Sequence, residues 1–274
     1  MMRHNRIFIL CLMLYSLTYS QNEKYFNNQE TRIIEWENAI LEAKNDEEKI
    51  NANDSLTKII HETIMYPKSY KYDFTNLNYI STLQPRDKKF KIITWFIELE
   101  NKNYNFYGLI QICKKNGNKC QIYHLQETDV NLKDDIYSEL NYDQWYGCIY
   151  YDIIETKINK FKYYTLLGWD GHNDTTTKKI IDVIKINKNM PPKFGAKIFH
   201  NETRRIIIEY SKKYSVSLKW DESIESIVFD HLEPIDGISE GDFSLYVPNL
   251  SYDILKKTET GWQLITNTYL NNSK

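Results

Sequence analysis

Near residue 78 the hydrophobic rhythm of the chain changes, and this change restricts the fold more than any other feature. Before it, apolar residues recur every three or four positions. After it, they come in short runs rich in Ile, Val, Tyr, Phe and Trp, broken by Gly, Asn, Asp and Pro. Such side chains fit the pleated surface of a strand, and the residues between the runs form tight turns. Segments 90–99, 104–113, 119–126, 145–155, 160–169, 179–186, 203–210, 214–220, 226–232, 243–247, 252–256 and 262–269 read as strands, about twelve in all. Short connections favour antiparallel neighbours. The expected fold is therefore mainly β: an antiparallel sandwich- or barrel-like sheet over residues 78–274, with a helical N-terminal extension. Segments 145–155 and 160–169 should form one hairpin, and 203–210 and 214–220 another. In the latter Val216, Leu218 and Trp220 alternate with Ser215, Ser217 and Lys219, which leaves one face wet. Residues 129–143 are polar and read as a loop with a helical turn. The tryptophans at 145, 169, 220 and 262 lack matching neighbours, so a repeating propeller is not indicated.

Residues 21–77 read as helical. Asn27 followed by Glu30 has the spacing of a capping box. Ile33, Trp36, Ile40 and Ala43, widened by Ile34 and Leu41, form the apolar stripe of a first helix. Asn45-Asp46-Glu47-Glu48 reads as a polar break. Asn53 or Asp54 should cap a second helix carrying Leu56, Ile59, Ile60 and Ile64 on one face, and Pro67 should stop it.

The first 20 residues have the layout of an export signal. Arg3 and Arg6 precede Ile7 to Tyr19, a mostly apolar stretch without charge, and small Thr18 and Ser20 follow the pattern of a cleavage site before Gln21. The stretch is shorter than the ~20 residues a spanning helix needs. Leu10 before Cys11 does not suit lipidation. Removal of the leader takes the formal charge from −2 to −4. A periplasmic or secreted protein is the expectation, and no later segment is apolar and long enough to span a membrane.

Export permits disulfides. Cys113 and Cys120 flank Asn116-Gly117, a strong hairpin-turn signal. With those two residues as the loop, Cys113 lies opposite Cys120, near enough to bridge. The register also sets Lys114 against Lys119, a mild cost. A zinc site from Cys113, Cys120 and His124 lacks the usual spacing. Cys148 reads as a buried small hydrophobe.

Acids and bases are interspersed, with 35 Lys and Arg against 37 Asp and Glu, so a nucleic-acid partner is not expected. Nine glycines leave little for a phosphate cradle, and no cofactor motif occurs. Gly237-Ile-Ser-Glu-Gly241 matches the nucleophile elbow of serine hydrolases. Yet a strand, not a helix, should follow it, and no histidine comes after Ser239. His61-Glu62 starts like a zinc-protease helix, but Met65 stands where the second histidine belongs. The most polar cluster is Trp169-Asp170-Gly171-His172-Asn173-Asp174. It offers oxygen ligands of the kind calcium takes, without the closing Glu, and Asp-Gly after a strand is also ordinary turn chemistry. In Phe229-Asp230-His231-Leu232-Glu233, Asp230 can orient His231 for acid–base work or pair with it at a strand end. The aromatics permit a sugar-stacking platform, with core packing the default. The candidate binding residues are thus Trp169, Asp170, His172, Asp174, Asp230 and His231. No catalytic residue and no metal ligand is assigned.

Five segments in order, Asp87-Lys-Lys-Phe-Lys-Ile-Ile-Thr-Trp95, Trp145-Tyr-Gly-Cys-Ile-Tyr-Tyr151, Tyr164-Thr-Leu-Leu-Gly-Trp-Asp-Gly171, Lys193-Phe-Gly-Ala-Lys-Ile-Phe199 and Ile227-Val-Phe-Asp-His-Leu232, resemble a family of uncharacterised exported bacterial proteins. The resemblance spans roughly residues 80–270, implies a bacterial envelope setting and carries over no site. The function expected is a non-catalytic envelope or binding protein, with an envelope protein or a glycan as partner. The alternative is a periplasmic hydrolase acting on glycan or peptide through carboxylate and His chemistry.

Overall fold

Residues 176–185, Thr-Thr-Lys-Lys-Ile-Ile-Asp-Val-Ile-Lys, place apolar side chains at consecutive positions, as expected of a strand covered on both faces. In the computed structural model, which describes residues 2–114, 119–128, 136–187 and 190–269 with backbone alone for 2–20, this segment is β8 (Thr176–Lys185), and it lies at the centre of the β unit. On one edge it pairs with β7 (Phe161–Asp170), which forms a hairpin with β6 (Ile149–Ile158). Its other edge is shared by β10 (Arg205–Ser211) and β9 (Lys193–Phe194), and β9 carries β5 (Leu140–Asn141). A second sheet runs in the order β1 (Ser81–Leu83), β2 (Lys91–Glu98), β3 (Tyr104–Cys113), β4 (Cys120–Leu125). A third runs β11 (Leu218–Asp221), β12 (Ser226–Pro234), β13 (Tyr246–Lys257), β14 (Trp262–Thr268).

Alternation along β8 separates two cores. Ile180 and Ile184 join Leu166, Tyr164, Ile92, Phe106 and Ile110 in a core shared with the β1–β4 sheet. Ile181 and Val183 join Leu167, Ile208, Ile227, Phe229, Leu255 and Trp262 in a core shared with the β11–β14 sheet. The central sheet thus stands between the other two. Among the described residues the strand order of each sheet is open at its ends, consistent with the sandwich alternative. In the β3–β4 hairpin Phe106, Ile110 and Leu125 are in the core, with Ile112 and Tyr123 against it.

Two strand expectations are corrected. β10 pairs with β8, and β11 with β12, so 203–210 and 214–220 do not form a hairpin; the wet face at Ser215, Ser217 and Lys219 is nonetheless present. Sequence proximity suggested that hairpin, but the apolar face of β10 is satisfied only on the central sheet. Segments 243–247 and 252–256 are one strand, β13, entered through a 3-10 turn at Phe243–Leu245 and bulged near Leu250. In the loop expected at 129–143, a 3-10 turn covers Tyr142–Gln144, while 129–135 lie outside the described residues.

The chain divides after Tyr79 into two compact units, and the hairpin tip, Cys113–Ile122, groups with the helical one. There α1 (Met2–Glu42) runs unbroken and α2 (Asp46–Met65) ends before Pro67. The expected caps are corrected. Asn27 lies inside α1, where its side chain and Glu30 both accept from the Tyr72 hydroxyl. Asn45 caps α2 by accepting the Glu48 N–H, and Glu48 returns a bond to the Lys44 N–H. The supposed polar break is therefore the helix start, and Asn53 is buried within α2. The buried stripe of α1 is also shifted. It comprises Phe26, Gln29, Glu30, Ile33 and Glu37, while Trp36 and Leu41 are exposed.

Cys113 and Cys120 form a disulfide with Cα atoms 4.0 Å apart, and Lys114 N–H bonds to the Lys119 carbonyl, so these two pairs face each other as expected; the Asn116-Gly117 turn lies outside the described residues. The zinc alternative loses both thiols to that bond. Cys148 is buried and takes no part in the disulfide.

Candidate functional site

The turn between β7 and β8 holds the cluster that begins at Trp169. Register sets Asp170 of β7 opposite Lys178 of β8, and Lys178 opposite Glu209 of β10, so three charged residues form one row across three strands. Asp170 and Lys178 are fully buried. Lys178 Nζ lies 3.5 Å from Glu209, whose other oxygen accepts the Thr176 hydroxyl at 2.7 Å and faces His172 Nε2 at 3.5 Å. Buried charge is tolerated only when paired and hydrogen-bonded, and this row meets that condition.

The row's chemistry is turned inward. Asp170 accepts the His172 N–H at 2.8 Å and the Tyr146 hydroxyl at 3.4 Å, while its backbone carbonyl accepts from Thr177. Asn173 accepts N–H groups of Thr175 and Thr176. The oxygens that a calcium loop would supply thus hold the turn, and Asp174 is simply exposed. Gly171 is needed because a Cβ there would lie 2.5 Å from the Tyr104 ring. Tyr104 meets Trp169 edge-on at 5.6 Å, and Lys212 lies over the Tyr104 ring while bonding to its hydroxyl and to the Asn173 carbonyl. Trp169 also packs on Phe96. These rings serve one another as a half-buried support for the turn.

Asp230 and His231 do not pair, which corrects both readings of that dipeptide. Adjacent strand residues face opposite sides. Asp230 accepts the Ser217 N–H at 2.7 Å, whereas His231 Nδ1 lies 2.7 Å from Asp253 across on β13. Its Nε2 faces Glu233 at 3.6 Å. Asp253 also accepts the Asn267 N–H of β14, so one carboxylate ties three strands where their registers slip. Asp170 and His172 belong to the central sheet, and Asp230 and His231 to the third; the six candidate residues thus occupy two clusters on different sheets. Sequence reading missed Lys178, Glu209, Lys212 and Asp253. A lysine at an inward position of an otherwise apolar strand was the signal available for Lys178.

At the Gly237–Gly241 motif, Ser239 donates to Asp236, whose carboxyl that hydroxyl and the Ile238 and Ser239 N–H groups hold down at about 2. Among the described residues no histidine bonds to Ser239, and a 3-10 turn and strand follow, so the segment is a turn. It caps a longer feature. β11 covers β12 only at Ser226–Phe229, and β14 covers β13 only from Tyr252 onward. Beyond those limits β12 and β13 continue as a two-stranded arm, paired through Leu232–Pro248, Glu233–Val247 and Pro234–Tyr246. The arm and its base leave Ile235, Ile238, Phe243 and Leu250 exposed by 61%, 83%, 41% and 89%.

Comparison with family models, curated proteins and solved structures finds no match to this chain. Among the described residues, no group of three or more His, Cys, Asp or Glu has the geometry to hold a metal ion, and no helix is long and apolar enough to cross a membrane.

Proposed function

We propose that this is an exported, non-catalytic binding protein that engages an envelope partner through the β12–β13 arm. The observation that carries the reading is the arm's composition: four large apolar side chains held in water on one hairpin. Large apolar side chains kept exposed together on one projecting element mark an interaction site more often than a catalytic one. The leader-like N-terminus, the resemblance to exported proteins and the Cys113–Cys120 bond support the setting. Cell fractionation with N-terminal sequencing tests export: a chain beginning at Gln21 outside the cytosol is expected, and an intact cytosolic precursor overturns it. A photo-crosslinking residue at Ile238 tests the arm. A discrete adduct that disappears when Ile235 and Phe243 become Ser is expected; no adduct, or one insensitive to those changes, counts against the arm.

One observation favours a hydrolase of glycan or peptide as the second reading. Asp253 orients His231, leaving Nε2 as the ring's acid–base atom. Turnover of such a substrate that vanishes in His231→Asn establishes that reading instead.

A further inference from the structure

The same arm carries charge of one sign. Glu233, Asp236, Glu240 and Asp242 lie within residues 233–250, a stretch with no Lys, Arg or His. Asp236, Glu240 and Asp242 are exposed, and none of the three is in an ion pair among the described residues. Asp236 accepts from the Ser239 hydroxyl and two N–H groups, and Asp242 accepts from Ser244, so the carboxylates have fixed places on the loop. The loop itself has a support, since the Phe243–Leu245 turn lies against β10. Leu250, at the arm's base, is held at φ 72 with its side chain in water. A leucine in the left-handed region is strained, and strain persists where function or surroundings fix it.

Resting on the binding reading above, we propose that the arm's partner is a protein surface or segment that is cationic and offers apolar sockets: Lys or Arg against Asp236, Glu240 and Asp242, with Ile235, Ile238, Phe243 and Leu250 entering the apolar sites. Charge complementarity selects this occupant. An acidic apolar loop is repelled by anionic lipid, and a second copy of the arm would set acid against acid. A polar cation alone would leave the apolar side chains in water.

The test uses the full chain and three helical probe peptides of one pattern: Lys/Leu, Lys/Ser and Glu/Leu, titrated by fluorescence anisotropy at low and physiological salt. Binding of Lys/Leu that weakens with salt is expected, with about tenfold or greater losses for each other peptide. Ile238→Ser with Phe243→Ser should lower Lys/Leu affinity about tenfold. Asp236→Asn, Glu240→Gln and Asp242→Asn together should do the same and remove most of the salt dependence; Asn keeps the Oδ1 that accepts the loop's backbone N–H groups at 236 and 242. Circular dichroism confirms that these exposed variants fold. If Glu/Leu binds as well as Lys/Leu and the Ser variant still abolishes it, the cationic class is wrong and the arm reading survives. If Lys/Leu binds the variants as it binds wild type, both fail. Arm-dependent capture by vesicles of anionic and neutral phospholipid overturns the proposal in favour of a membrane surface.

Discussion

Gly171 and Tyr104 show how one missing Cβ shapes a turn. The ring occupies the space a side chain at 171 would need, and backbone strain plays no part. Gly171→Ala should cost about 1–3 kcal/mol by overpacking. In a Tyr104→Ala background the cost should largely vanish; a urea double-mutant cycle measures the coupling. Leu250 presents the reverse case, a side chain where glycine would be easier. Leu250→Gly relieves the left-handed strain but gives the unfolded chain more freedom, so a net gain of about 0.5–1 kcal/mol is expected in urea unfolding. Glu37 is legible only in three dimensions. One of its oxygens is buried without a hydrogen-bond partner, and burial pushes its carboxyl from 4.5 to about 7, despite the Tyr79 N–H. Between those values the folded chain holds a proton the unfolded chain releases, so this group's stabilising contribution, full below about pH 4.5, falls as pH rises through 7. Glu37→Gln should flatten that part of the stability–pH curve and raise Tm at pH 8 by a few degrees, on the order of 1 kcal/mol. An unchanged pH profile contradicts the assignment. The polar candidates behaved similarly: Asp170 and His231 stood out in the sequence, but their partners, Lys178 in register and Asp253 on another strand, did not.

Among the elements, those defined by neighbours in sequence were the most legible. The facing of Cys113 and Cys120 was legible from their spacing, and β6–β7 from a short turn, since contacts between near neighbours set both. The helix start was misread because Asn45-Asp46-Glu47-Glu48 is as polar as a linker. Its spacing is nevertheless that of a cap, with Asn45 and Glu48 three residues apart. Asn45→Ala should cost about 1 kcal/mol in the helical unit, measurable as a lower urea midpoint. The stripe of α1 was misplaced for a different reason. Hydrophobic periodicity counts Trp36 and Leu41 as inward and Glu30 as outward, yet Glu30 is buried because Tyr72 and Asn76, more than forty residues away in sequence, donate to it.

At the scale of the β unit, the organising fact is a central sheet with a core on each face. Ile180→Asp and Ile181→Asp, adjacent in sequence, point into different cores and should each unfold the unit, because neither charge finds a partner. Ile265→Asp, on the outlying strand β14 and 38% exposed, should cost much less. Circular dichroism and expression of the three variants check this; tolerance of either β8 change contradicts the two-core arrangement. Alternation and turn chemistry act between near neighbours, so the β character of the chain after residue 80, the place of most strands and the meeting of Cys113 with Cys120 were already written in the residue order. That β10 joins β8 instead of β11, that Lys178 has a buried acid beside it, and that the β12–β13 arm outruns the strands that flank it emerge from long-range packing alone. Those outcomes depend on which apolar faces meet across long stretches of chain, and local patterning constrains that choice weakly because several pairings satisfy the same alternation.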